Sequence, residues 1–164
     1  MTAPLLHVVS RGRNEGEALW VLGGLYTYRA LPSETAAYLL VEVEGPQGLS
    51  APLHFHESED EGFYVRSGTV RMVIGDRTIE ASAGSFLLAP RGIHHAFVFA
   101  SADASLLLLL SPGSAHEQLF RAIGEPAGRR EIPPPLSQPP DFAGLAATAA
   151  VHGTQVVGPP PLRD

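Results

Sequence analysis

Four side chains carry the chemistry this sequence can do: His54, His56, Glu61 and His95. His54 and His56 flank Phe55, and on a strand alternate side chains share a face, roughly 7 Å apart along the chain. Three imidazoles and a carboxylate suit one divalent first-row metal per chain. Iron, manganese, nickel, cobalt, copper and zinc all accept this donor set, so metal identity stays open. On an octahedral ion four protein donors leave two positions free, as a catalytic site needs and a closed structural one does not.

Glu61 competes with Glu57, Glu59 and Asp60 for the fourth place. It opens the run Gly62-Phe63-Tyr64-Val65 and so has a fixed direction. The other three fall in the preceding loop and are expected to be solvated, with Asp60 as the substitute ligand. His94 must face away from His95, and His7, His116 and His152 lie outside the pattern, expected to be exposed or capping. Phe63 shares the parity of Glu61, and Phe97 and Phe99 that of His95, so these three are candidates for a pocket wall, joined by Tyr28 and Tyr38 from earlier strands. Such a wall suits an aromatic or otherwise apolar small molecule. No basic residue stands where it would hold a phosphate.

The spacing has a second meaning. Gly48, five residues, His54-Phe55-His56, four residues, Glu61, six residues and Gly68 form one motif. Gly84, five residues, Pro90-Arg91-Gly92, two residues and His95 form another. The pair resembles the two motifs of the cupin superfamily, and with its tail the chain is similar to single-domain bacterial cupins of the quercetin 2,3-dioxygenase-like kind. One position departs: Phe99 stands where the second motif often has Asn. The resemblance implies an all-β antiparallel barrel, a double-stranded β-helix of jelly-roll type, with His54, His56, Glu61 and His95 holding the metal near one mouth. It further implies an oxidoreductase that adds dioxygen to a small aromatic or enol/keto substrate, with Glu61 as catalytic base on the substrate hydroxyl. Two rivals share the site: a metal-dependent isomerase or lyase of a hydroxy-carbonyl compound, and a small-ligand-binding module without turnover.

The elements that must position these groups follow from composition and periodicity. At 164 residues, 45% of them hydrophobic, one domain with a sizeable core is expected. A net charge of −6, with eleven Arg and no Lys, offers no basic stripe to nucleic acid. Cysteine is absent, which removes disulfides and thiol chemistry. Neither a secretory leader nor an apolar run of membrane-spanning length is apparent, so a cytoplasmic protein is the expectation. Short strand signals recur from Ala18 to Leu110, with Gly, Pro or Asp at most corners, and Gly23-Gly24 reads as a bulge or bend. The barrel core is placed at about 18–111 and a helical, Pro-rich extension at 112–164. In that extension Ser111-Pro112 reads as a helix start with Ser as cap, Gly124 as its stop, 125–140 as an extended connector, 141–152 as a second helix and 154–157 as a last short strand. Apolar residues on both faces of several strands, and an apolar start at Leu5 and Leu6, predict a homodimer through an N-terminal strand or the outer faces.

Overall fold

A computed structural model describes residues 8–161. Leu5 and Leu6, and with them the expected N-terminal arm, lie outside the described residues, as does His7. Twelve strands and three short helices occur among the described residues. The strands are β1 (Ala18–Val21), β2 (Gly24–Ala30), β3 (Leu39–Glu44), β4 (Ser50–His56), β5 (Asp60–Ser67), β6 (Thr69–Ile74), β7 (Arg77–Ser82), β8 (Phe86–Ala89), β9 (His95–Phe99), β10 (Ser105–Ser111), β11 (Glu125–Pro126) and β12 (Thr154–Gly158). The helices are α1 (Pro32–Thr35), α2 (Ser114–Ile123) and α3 (Phe142–Val151).

All pairings are antiparallel, in two sheets that run β11-β1-β2-β3-β10-β5-β8 and β12-β4-β9-β6-β7. This is the expected all-β architecture. Alternation decides which side chains fill it: Leu39, Val41 and Val43 on β3 and Leu106, Leu108 and Leu110 on β10 are buried, and Met72 and Phe63 join them from β6 and β5. On the outer face Tyr64, Phe86, Leu88 and Leu109 remain exposed. The register makes them neighbours, since Tyr64 pairs with Phe86 while Gly62 lies between Leu88 and Leu109. Among the described residues no helix is long and apolar enough to cross a membrane.

Local expectations changed in three places. The Gly23-Gly24 bend is a hairpin turn at Leu22-Gly23, with φ of 50° and 89°, the left-handed values a tight two-residue connection requires. The first C-terminal helix starts at Ser114, not at Ser111-Pro112, because Ser111 still pairs with Asp60 as the last residue of β10. The connector is also more structured than its six prolines implied. Trp20 pairs with Glu125 and donates its indole N–H to the Glu131 carbonyl at 2.9 Å. The last strand, β12, joins the five-stranded sheet beside β4, with Thr154 opposite His56.

Gly113 turns the chain from β10 into α2. Its φ is +88°, and a Cβ there would sit 2.5 Å from both Leu39 Cβ and Leu39 N. Gly113→Ala therefore combines left-handed strain with a backbone clash. We expect it to cost at least about 2 kcal/mol in urea unfolding, with loss of the α2 docking described below.

Candidate metal centre

β4 and β9 lie side by side, and His54 is the direct cross-strand partner of His95. His56 follows two residues along the same face of β4. Glu61 comes from β5, in the opposite sheet, so the four donors converge from both sheets across the barrel interior. All four are buried, and their ligand atoms lie within 4.8 Å of one another. The three rings pack edge to face or tilted, with centroids 4.3–4.9 Å apart.

What aims each ring is its other nitrogen. His54 Nδ1 lies 2.6 Å from the Pro52 carbonyl and His95 Nδ1 lies 2.8 Å from the Ile93 carbonyl, in each case two residues upstream. A carbonyl only accepts, so both Nδ1 atoms carry the proton and both Nε2 atoms present lone pairs inward. His56 Nδ1 meets Thr154 Oγ1 at 3.0 Å. Glu61 Oε2 stands 2.8 Å from His56 Nε2 and 3.0 Å from His95 Nε2. A carboxylate oxygen and an imidazole lone pair at that distance need a proton or a cation between them. A proton must be supplied separately to each ring, whereas one divalent ion satisfies three lone pairs and the carboxylate together. The donor set therefore fits a single first-row divalent metal.

For two of the three rings the electrostatics agree. Burial, then the neighbouring imidazoles, drives His54 down to about 3, and burial also lowers His56, so both favour the neutral form a ligand needs. Burial pushes Glu61 up, but the hydrogen bonds with His56 and His95 outweigh it and hold the carboxyl well below its usual range. His95 goes the other way: burial lowers it, but a hydrogen bond from Nε2 to Glu61 and that negative charge more than compensate, so facing Glu61 alone the ring favours the protonated form, whose Nε2 proton a metal ion would displace.

Asp60 stands apart from the centre, paired with Arg91 at 2.9 Å near the surface. His94 faces away, as expected, and stacks on Phe55 with centroids 5.1 Å apart. His152 caps the C-terminus of α3.

Two expectations are corrected. Glu59 is not solvated and His116 is not exposed: they are 2% and 4% accessible. Glu59 reaches across to the start of α2, where no side chain of the helix itself caps the end. Its carboxylate accepts the Ala115 N–H at 3.0 Å, the His116 N–H at 3.2 Å and the His116 ring Nδ1–H at 2.6 Å. Burial opposes its charge, and the bond from His116 outweighs that and lowers the carboxyl. The His116 ring in turn lies edge-on to His56, 4.2 Å between centroids. Its place was readable in principle, because His116, Leu119, Phe120 and Ile123 share one helical face.

α2 and α3 roof a cavity of about 70 Å³ beside His54, lined by Tyr26, Pro52, His54, His116, Leu119 and Ala149 among others. A roomier surface depression of about 610 Å³, between Gln47 and Glu80, touches none of the four donors. The five aromatics singled out from the sequence lie elsewhere. Phe63 packs on His95 at 5.8 Å, Phe97 on Phe63 at 6.4 Å and Phe99 on Phe97 at 5.7 Å, a row filling the barrel interior. Tyr28 is buried beneath α2, its hydroxyl 3.4 Å from the Glu117 carbonyl and Arg121 over its ring. Tyr38 is 36% exposed. The tyrosine at the cavity is Tyr26, which shares the parity of Tyr28 on β2.

Comparison with known proteins agrees with this geometry. Residues 40–111, which contain all four donors, match the family model of the Cupin domain. Over 113 residues, 68% of the chain, the sequence is 30% identical to quercetin 2,3-dioxygenase of Bacillus subtilis, and this match spans 33% of that relative's length. Among solved structures, KdgF from a Halomonas species superposes with a TM-score of 0.51 at 26% identity, over 55% of this chain and 79% of that one. A Thermotoga maritima protein described as a predicted oxalate decarboxylase gives 0.55 at 21% identity, over 64% of this chain and 98% of its own.

His95→Ala is expected to bring metal content in purified protein, measured by elemental analysis, from near one ion per chain to near zero while the strand signature in circular dichroism persists. Thr154→Val removes the partner of His56 Nδ1 without touching a donor. It should keep the stoichiometry but weaken affinity about 10- to 100-fold in competition with a chelator.

Proposed function

This chain belongs to the cupin superfamily, and from that premise we propose that it is a metal-dependent dioxygenase of a small enol or hydroxy-carbonyl compound. The observation that carries the reading is the pairing of an inward-facing donor set, His54, His56, Glu61 and His95, with an adjacent, mostly apolar cavity. The sequence relationship to a quercetin 2,3-dioxygenase supports oxygen chemistry over other uses of such a centre.

A divalent ion held there would supply Lewis acidity, template the substrate's oxygens and lower the pKa of its hydroxyl. The chain's own groups do the rest. The three histidines hold the geometry, because each ring is fixed at Nδ1 before any ligand arrives. Glu61 is kept ionised by its hydrogen bonds, which makes it ready to receive a proton though a weaker base than an ordinary carboxylate. That suits an acidified enol better than a plain alcohol. The apolar roof of Leu119 and Phe120 from α2 and Ala149 from α3 keeps water from the reacting oxygens.

Size narrows the substrate. A cavity of about 70 Å³ favours a compact substrate.

The test begins with elemental analysis of untagged, chelator-free protein, followed by oxygen-electrode assays of the iron-, nickel- and manganese-loaded forms with small enols and hydroxy-ketones. Metal-dependent oxygen uptake is the expected result. Turnover that proceeds equally well without oxygen would replace this reading with an isomerase or lyase, and tight binding without turnover would replace it with a binding module.

A further inference from the structure

Two residues that line the cavity beside His54 each carry a polar atom with no protein hydrogen-bond partner among the described residues: Tyr26 its Oη and His116 its Nε2. Neither is sealed away, since among the described residues no fully buried side-chain nitrogen or oxygen lacks a partner. Both side chains are held firmly. The Tyr26 ring packs edge-on against Phe120, 5.0 Å between centroids. The His116 ring is fixed by Glu59 at 2.6 Å. Glu59 Oε2 also takes the His116 backbone N–H, so it acts as acceptor and holds a ring proton on Nδ1, which in the neutral imidazole leaves Nε2 as an acceptor. Tyr26, whose hydroxyl is pushed up by burial, remains a donor.

The rest of the lining is apolar, with Pro52, Leu119, Phe120 and Ala149 prominent. A largely apolar enclosure with a few convergent polar atoms is the ordinary form of a small-molecule site. Tyr26 and His116 both fall outside residues 40–111, so this pair is added to the family domain by the flanking hairpin and the C-terminal helix.

We propose that Tyr26 and His116 form a donor–acceptor pair that binds the polar group of a small ligand beside the His54–His56–Glu61–His95 centre. The chemical class is a compact molecule with adjacent carbonyl and O–H or N–H groups, such as an enol, α-hydroxy-carbonyl or hydroxamate, carrying at most a short apolar substituent. Its carbonyl oxygen accepts from Tyr26, its O–H or N–H donates to His116, and the apolar part lies against Leu119 and Ala149. A ligand lacking those groups leaves the pair desolvated and unsatisfied, and so is rejected. This assignment rests on the metal-centre reading above and names the specificity determinants of that site.

The experiment uses the full chain loaded with Co(II) and titrated with acetohydroxamate, with the visible cobalt spectrum as readout. Cobalt content and circular dichroism are recorded for each variant. Wild type is expected to bind, and Y26F and H116F to retain one cobalt per chain while binding about tenfold more weakly, the loss of one hydrogen bond each. Y26F keeps the ring against Phe120 and decides the matter alone if H116F fails to fold. Unchanged affinity in a folded, cobalt-loaded variant overturns the pair and leaves the metal-centre reading standing. Cobalt uptake by wild type without spectral response to acetohydroxamate overturns this proposal and leaves the metal-centre reading standing, whereas no cobalt uptake at all overturns both.

Discussion

Each imidazole of the centre is aimed by whatever holds its Nδ1, and the rest of the architecture can be understood as supplying those three holders. Two are local: a carbonyl two residues upstream, Pro52 for His54 and Ile93 for His95. The third is remote, the Thr154 hydroxyl on β12. Burying three imidazoles and a carboxylate is costly unless their polar atoms are satisfied, since each unpartnered buried group costs on the order of 1–3 kcal/mol. The two-sheet arrangement meets that condition by placing β4 between β9 and β12, with Glu61 entering from β5 opposite.

A division of labour follows between the cupin domain and its flanks. Residues 40–111 hold the four candidate metal donors found among the described residues. The β1–β2 hairpin and the two C-terminal helices close the space above those donors and decide what reaches them. Glu59 ties the two parts together. It lies in the β4–β5 loop between the donors His56 and Glu61, yet its carboxylate caps α2 and fixes His116. The buried pair it makes with His116 gains its strength from the extra backbone donors, without which the desolvation of both groups would go uncompensated.

The donors and most strand positions were legible in the sequence because the determinants act over a few residues. Period-two alternation, Gly-marked corners and the spacing of His54, His56 and Glu61 all operate locally. Glu59 and His116 were not legible as a pair because 57 residues separate them, and an acidic loop and a lone histidine each have an ordinary surface reading. The start of α2 was displaced because ladder pairing of Ser111 with Asp60 outweighed a Ser-Pro helix signal. Parity put Phe63, Phe97 and Phe99 inside the barrel, but a small barrel's interior is filled by its own side chains, so an inward direction does not make a residue part of a cavity. Between Tyr26 and Tyr28 parity has nothing to say.

The position of β12 bears on how the protein is made. Thr154 follows His56 by 98 residues, so at ribosomal speeds of about 5–20 residues per second the two are separated by roughly 5–20 s during translation. For that interval β4 can pair with β9 but has no neighbour on its other edge, and His56 lacks the hydroxyl that orients it. The nascent chain thus carries an exposed strand edge next to a half-organised cluster of ligating side chains, and both are closed by the same late event, the docking of β12.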